Sequence, residues 1–299
     1  MNSFRRPAAG SWFLTGLIVA ATAMTLSAGY ANVFQASRST QSGYAVSTRR
    51  FRGVDYAVAA IDPTQVRIQA YVYDPADPQR RPFGNLDALA GWLRRRGDTL
   101  LLGMNGGIFA RDFTNPQGLL VSESKVLREI DTLTRAPSPE VDGNFYRPQP
   151  NGVFFVMVDG QPRVTTTAVA RPLVRQMVAA TQSGPMLIIN GQFTPAYASA
   201  DTLPPWLGTP RQRHHEVDSA STTRNAVCIG SDGKVYWVKT EQKVRGDPFA
   251  RFLRDEIHCR DALFLDGFYS ALHAPRAGRH DPGHNLVTTL AVLPPRRSR

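Results

Sequence analysis

Apolar and polar positions alternate most clearly at residues 66–73. Val66, Ile68, Ala70 and Val72 fall on one face, and Arg67, Gln69, Tyr71 and Tyr73 on the other. That period of two predicts a half-buried strand. Val54–Ile61 precedes it across Asp62-Pro63-Thr64, so the pattern predicts that the two strands form an opening hairpin. The period then changes. Leu86, Leu89, Ala90 and Leu93 recur at helical spacing after Asn85, a residue suited to an N-cap, and Arg94-Arg95-Arg96 and Gly97 close the run. A second amphipathic helix is predicted over residues 169–180. A third starts at Asp247-Pro248 and buries Phe249, Phe252, Leu253 and Ile257.

Short apolar runs supply further strands at residues 99–104, 118–122, 153–158, 185–189, 225–229, 235–239, 262–265 and 286–293. Asp159-Gly160, Asn190-Gly191 and Asp232-Gly233 each separate two apolar runs and predict hairpin turns. Residues 123–150 read as a polar surface excursion and 198–223 as a mobile, basic, Pro-rich loop. Strands and helices are interspersed without strict alternation. The expected fold is α+β, a single domain over residues 48–294 in which a mixed, twisted β-sheet is packed by a few helices. A polar segment at 32–47 reads as a flexible lead-in, and 295–299 as a basic tail.

Residues 1–31 change the picture of where the chain works. Arg5 and Arg6 precede an uncharged apolar run over residues 12–28, and Gly29-Tyr30-Ala31 offers small residues for signal cleavage before Asn32. The expectation is an exported protein, periplasmic or secreted. The alternative is an uncleaved segment that anchors the chain to the inner membrane. The net charge of +11 favours anionic partners, with membrane surfaces among them. No basic helix with interleaved aromatics is present, so no specific nucleic-acid partner is expected. Cys228 and Cys259 are the two cysteines. They are candidates for a disulfide in an exported chain, with two separate buried thiols as the alternative.

Two Asx-Gly steps differ from the hairpin turns. Asn105-Gly106-Gly107 and Asp266-Gly267 each follow a nearly continuous apolar run and lead into a polar loop, where a rigid scaffold presents reactive groups. Gly106 and Gly107 would let the backbone approach a ligand and offer N–H groups to an anion. Gln182, Ser183 and Gly184 form an unusual turn, expected between helix and strand, that could donate hydrogen bonds into a site. Its plainer reading is a helix end with Gly184 in the left-handed conformation. Arg224, just before a strand, carries the fork that matches two phosphate oxygens. His280 and His284 have a metal-like spacing, but Pro282 and Gly283 forbid the helix that would align them. His214-His215 falls in the basic loop, and His273 is the histidine closest to a candidate site. No cofactor and no metal site are expected.

In order, Met104-Asn105-Gly106-Gly107-Ile108-Phe109, Pro116-Gln117-Gly118-Leu119, Asn151-Gly152-Val153-Phe154, Gln182-Ser183-Gly184-Pro185-Met186-Leu187, Arg224-Asn225-Ala226-Val227 and residues 262–270 resemble the phosphodiester glycosidase family, most closely its bacterial branch. The family's uncovering enzyme removes N-acetylglucosamine from mannose-phosphate diesters. It has consecutive glycines where this chain has Phe268 and Tyr269, which would narrow the pocket. The resemblance implies a hydrolase that cleaves a sugar from a phosphorylated glycan or glycolipid. In that reading Asp266 is the catalytic carboxylate, Arg224 stabilises the departing phosphate and Glu241 is a reserve acid. Asn105, Gly106, Gly107, Gln182, Ser183, Gly184 and Ser270 bind substrate. The alternative is a non-catalytic envelope protein that binds anionic glycans through the same cleft.

Overall fold

The structure, a computed structural model, describes residues 39–41, 43–110, 112–135, 137, 149–194 and 222–296. The expected signal or anchor, the first part of the lead-in, most of the basic loop with His214 and His215, and the last three tail residues lie outside them.

The strands, numbered along the chain, form three antiparallel sheets. The largest runs in the spatial order β1 (Ser39–Gln41), β2 (Tyr44–Phe51), β3 (Val54–Ile61), β14 (Val235–Thr240), β13 (Asn225–Gly230), β15 (Cys259–Phe264), β11 (Met186–Ile189), β12 (Gln192–Phe193). The second runs β7 (Lys125–Arg128), β6 (Leu120–Ser122), β10 (Met177–Ser183), β8 (Gly152–Met157), β9 (Pro162–Thr166). The third runs β16 (Leu272–His273), β5 (Leu102–Asn105), β17 (Thr289–Leu293), β4 (Arg67–Tyr71). The α+β class is as expected, but the one mixed sheet is replaced by three sheets whose described pairings are all antiparallel.

Alternation explains the layering. On β13 and β14, Val227, Ile229, Val235 and Trp237 face a central core that all three sheets share. Ala226, Cys228, Tyr236 and Val238 face the other way, onto α3 (Gly246–Asp255) through Phe249, Phe252 and Leu253. Tyr56 stacks on Phe252 in that layer with ring centroids 3.7 Å apart. The helix α1 (Leu86–Arg95) covers the third sheet with Leu86, Leu89, Trp92 and Leu93. Asn85 caps it as expected, its side chain accepting from the Ala88 N–H at 2.8 Å. A short α2 (Thr167–Ala170) and the 3-10 turn Arg171–Gln176 cover the second sheet. Cys228 and Cys259 are bonded to each other on the α3 side of the largest sheet.

Four local expectations change. The predicted hairpin of Val54–Ile61 with residues 66–73 does not form. β3 pairs with β2 and β14, while β4 pairs with β17 in another sheet. The turn at Asp62, whose carboxylate takes the Thr64 N–H and Oγ, sends the chain across the central core instead of back along β3. The end of the lead-in is strand, since β2 starts at Tyr44 and buries Tyr44 and Val46. The expected helix at 169–180 stops early. Pro172 falls in a 3-10 turn, and Met177–Ser183 is a strand buried between β6 and β8. The excursion at 123–150 begins as a hairpin, with Glu123 and Ser124 at φ 47° and 66° turning β6 into β7.

Candidate active site

Strand ends from all three sheets meet around the loop that follows β15. Met186 of β11 and Val227 of β13 flank Leu263 of β15, which brings the Ser183-Gly184-Pro185 connection and the Arg224-Asn225 step beside the strand's exit. Leu265 is anchored by its N–H to the Asn225 carbonyl, and Asp266 by its N–H to the Gly106 carbonyl at 3.4 Å. Gly267 packs against this base. A Cβ there would lie 2.8 Å from the Thr223 carbonyl oxygen and 3.4 Å from the Arg224 Cα, so the loop hugs Arg224 only with glycine present. The loop then closes on itself. The Phe268 N–H donates to Asp266 Oδ1 at 3.2 Å and the Ser270 hydroxyl donates to the Gly267 carbonyl at 2.7 Å. Asp266 and Ser270 are half-buried.

Asn105 ends β5 and is buried. Its Nδ2 donates to the Asp266 carbonyl at 2.9 Å, and its Oδ1 accepts from Asn225 Nδ2 at 2.7 Å and from the Ala271 N–H at 3.0 Å. It therefore fastens the Asp266 loop at both ends, where a substrate-binding role was expected. Gly106 and Gly107 differ from expectation in the same way. The Gly106 N–H donates to the Thr288 carbonyl and the Gly107 N–H to Thr181 Oγ1 at 3.0 Å, so neither is turned to an anion. The demand for glycine is packing: a Cβ on Gly107 would stand 2.0 Å from the Gln182 carbonyl oxygen.

Gln182 is likewise a pin. Its Oε1 accepts from the N–H groups of Leu119 and Asp131, both at 2.9 Å, and its Nε2 donates to the Asp131 carbonyl and Thr167 Oγ1. Ser183 ends β10 fully buried, and the backbone of Gly184 is not left-handed. A Cβ on Gly184 would lie 2.0 Å from Asn151 Oδ1. Ser183 Oγ, Asn151 Oδ1, Asn225 Oδ1 and Gln117 Oε1 are buried without a protein hydrogen-bond partner. Each belongs to one of the motif segments. Such atoms are costly.

The charged residues divide between two faces of the largest sheet. Arg224, bonded through its backbone to Thr240, lies on the α3 side. Its Nε donates to the Val244 carbonyl at 3.1 Å, and its guanidinium carbon sits 5.5 Å from the Phe264 ring centre. Glu241 belongs to a different group. Arg279 grips it at 2.6 Å and also reaches Asp281 at 3.2 Å, while Lys239 reaches Asp281 at 2.7 Å. Burial works against a charged Asp281, but Lys239, the Leu272 N–H and Arg279 outweigh it and hold the carboxyl below its usual range. The structure thus brings Asp266, Arg224, Asn105, Ser183 and Ser270 to one end and gives Glu241 ion-pair partners of its own. Sequence reasoning gave no role to Asn225, Thr181, Lys239, Arg279 and Asp281. Only Asn225, beside Arg224 at a strand start, carried a local signal.

Asp87, His273 and His280 form the described cluster with metal-ligand chemistry, their ligand atoms all within 4.8 Å of one another. Asp87 lies 3.5 Å from His273 Nε2 and 3.8 Å from His280 Nε2. The Asp281 N–H donates to His273 Nδ1 at 3.3 Å, which puts the ring proton of the neutral imidazole on Nε2, facing Asp87. A carboxylate flanked by two imidazoles accounts for the group. His284 is elsewhere, edge-on to Tyr269 with centroids 6.0 Å apart, so the His280/His284 spacing does not form a pair.

A family model described as phosphodiester glycosidase matches residues 98–285, well over half of the chain. The chain belongs to the phosphodiester glycosidase family. It is 26% identical over 251 residues to Uncharacterized protein YigE of Escherichia coli (strain K12), covering 79% of this chain and 87% of that one. Among solved structures, the zebrafish N-acetylglucosamine-1-phosphodiester alpha-N-acetylglucosaminidase catalytic domain, auto-inhibited by its pro-peptide, is similar with a TM-score of 0.54 and 16% identity. That match covers 86% of this chain and 83% of that one. A hypothetical protein from Synechocystis is similar with a TM-score of 0.52 and 13% identity, over 85% of this chain and 62% of that one. These likenesses show a shared fold. The span matched to the phosphodiester glycosidase model contains Asn105, Gln182, Arg224 and the Asp266 loop, while β2, β3 and β4 before it complete two of the sheets.

Proposed function

We propose that this protein is an exported hydrolase that releases a sugar from a sugar phosphodiester in the cell envelope. The observation that carries the reading is the Asp266 loop, in which the Asp266 backbone is tied to Asn105 and Gly106, its half-buried carboxylate takes the Phe268 N–H, and Gly267 packs on the backbone of Thr223 and Arg224. In hydrolysis, water oxygen bonds to the anomeric carbon as the bond from that carbon to the phosphate oxygen breaks. The phosphate monoester leaves with the electron pair, and the proton lost by water passes to Asp266 or solvent. A phosphate is a good leaving group, so a strong general acid is less needed than in ordinary glycoside hydrolysis. Asp266 activates the water or stabilises the oxocarbenium ion, and Arg224 takes the negative charge that develops on the departing phosphate. Arg5 and Arg6 ahead of an uncharged apolar run support export, and the charge of +11 suits a phosphorylated glycan or glycolipid at an anionic membrane surface.

The test is sugar release from a panel of sugar-phosphate diesters by the wild type and by Asp266→Asn. The variant is expected to abolish release while keeping the wild-type circular dichroism and melting temperature. Full turnover by the variant would take Asp266 out of the mechanism. Binding of the diesters by the wild type without release would instead make the protein a glycan-binding member of the family.

A further inference from the structure

Among the described residues, two exposed phenylalanines, Phe113 at 38% and Phe268 at 70%, contact the same ring. That ring is Tyr269. Phe113 meets it at 89° with centroids 5.5 Å apart, and Phe268 at 67° and 5.0 Å, while Phe109 backs it from the core at 5.3 Å. The rings are crossed, so they wall a corner instead of closing into a stack. The loop's other neighbour is the backbone of Thr223 and Arg224, on which Gly267 packs. The Asp266 loop thus rests on the Arg224 backbone at Gly267 and carries the aromatic surface at Phe268 and Tyr269.

We propose that Phe113, Tyr269 and Phe268 form the stacking platform for the sugar ring whose anomeric carbon is attacked, an inference that rests on the sugar-phosphodiester reading of this site. Three observations argue for a ligand there. Exposed phenylalanine is unfavourable for the protein alone, and here two such side chains pack on one ring. Phe113 also sits at φ 58°, a conformation disfavoured for a bulky side chain. The Phe113 N–H to Ala110 carbonyl bond at 3.0 Å and the Ala110 N–H to Asn115 carbonyl bond at 2.9 Å hold it there. Strain of this kind, held by surrounding bonds, clusters at ligand sites. Finally, the Phe268 N–H is bonded to the Asp266 carboxylate, which ties the platform to the reacting position.

A pyranose suits this pairing of surfaces. It has an apolar C–H face for the rings and hydroxyls that add hydrogen bonds to Asp266 and Ser270 at their edge. With the phosphate taken by Arg224, as that reading has it, the ring that meets the aromatic surface next to Asp266 is the one being released. Phe268 and Tyr269 would then select the sugar, not the group beyond the phosphate.

Isothermal titration of the full-length protein with inorganic phosphate and with the 1-phosphates of glucose, N-acetylglucosamine and mannose tests this. Phe268→Ala and Phe113→Ala are each expected to raise the Kd of at least one sugar 1-phosphate about tenfold, with the Kd of inorganic phosphate unchanged. Phe268→Trp is expected to keep the affinity. The proposal is overturned if the two alanine variants bind every sugar 1-phosphate as the wild type does, or if the wild type binds none. It is also overturned if the variants lose only sedimentation with phosphatidylglycerol vesicles, which would make the patch a membrane contact. Sugar binding that depends on the rings, in a protein that hydrolyses no diester, would remove the hydrolase reading and leave the platform standing.

Discussion

Asn105 and Asp266 are joined side chain to backbone, the Asn105 amide donating to the Asp266 carbonyl at 2.9 Å across 161 residues of sequence. The same side chain accepts from Asn225 and Ala271. Asn105→Ala strands all three partners in a buried setting, so it is expected to lower stability by about 2–4 kcal/mol in denaturant titration. Asn105→Asp is the sharper variant. It keeps the shape and both acceptor contacts but sets an oxygen against the Asp266 carbonyl. Turnover of phosphodiester substrates should fall further than stability does. Wild-type turnover in Asn105→Asp would show that this bond does not position the carboxylate.

Arg224 is anchored through Nε to the Val244 carbonyl and lies over the Phe264 ring. Replacing it with alanine is expected to lower kcat/KM on sugar phosphodiesters by roughly a hundredfold or more, the range for removing one group that stabilises developing charge. Uncharged nitrophenyl glycosides of the same sugar should lose far less. Equal losses on both substrates would mean that Arg224 is not the phosphate ligand.

What the sequence disclosed depended on how local the cause was. The turns at Asp159, Asn190 and Asp232 were legible because Asx-Gly chemistry acts within four residues. The Asn85 cap was legible for the same reason. The partner of Tyr71 was not, since its strand leaves β3 for another sheet and pairs with Thr289, more than two hundred residues away. Gln182 and Asn105 stood out by motif, but not by role. Polar residues beside glycines look alike whether they face a ligand or pin distant loops, and only their burial and full sets of bonds separate the two. The same holds for Glu241, whose partner Arg279 lies 38 residues away.

Gly107 provides a test of that distinction. Its place beside β10 leaves no room for a methyl group, because a Cβ would stand 2.0 Å from the Gln182 carbonyl oxygen and 2.9 Å from Thr181 Oγ1. Backbone cannot yield as a flexible side chain can. Gly107→Ala is expected to cost about 3 kcal/mol or more, read as a lowered melting temperature with turnover lost in proportion to unfolded protein. If the variant instead folds with wild-type stability and loses only phosphate affinity, the glycine serves the ligand and not the packing.

His273 is 2% exposed, and burial pushes its imidazole below the ordinary value of 6.5. Asp87 and Asp281 pull it upward and His280 opposes them, without reversing the effect of burial. A folded-state pKa below the unfolded one means that the unfolded chain takes up the proton more readily. The stability held by neutral His273 is therefore present above the unfolded value of 6.5 and is lost as pH falls through the lowered folded value. Melting temperatures taken across a pH series should decline below about pH 6.5, beyond what carboxylates alone produce. Asp87→Asn removes one of the charges that favour protonation, lowers the folded value further and should steepen the decline. His273→Gln should flatten it. A decline unchanged by both substitutions would assign the acid sensitivity to the Lys239, Arg279, Asp281 and Glu241 ion pairs instead.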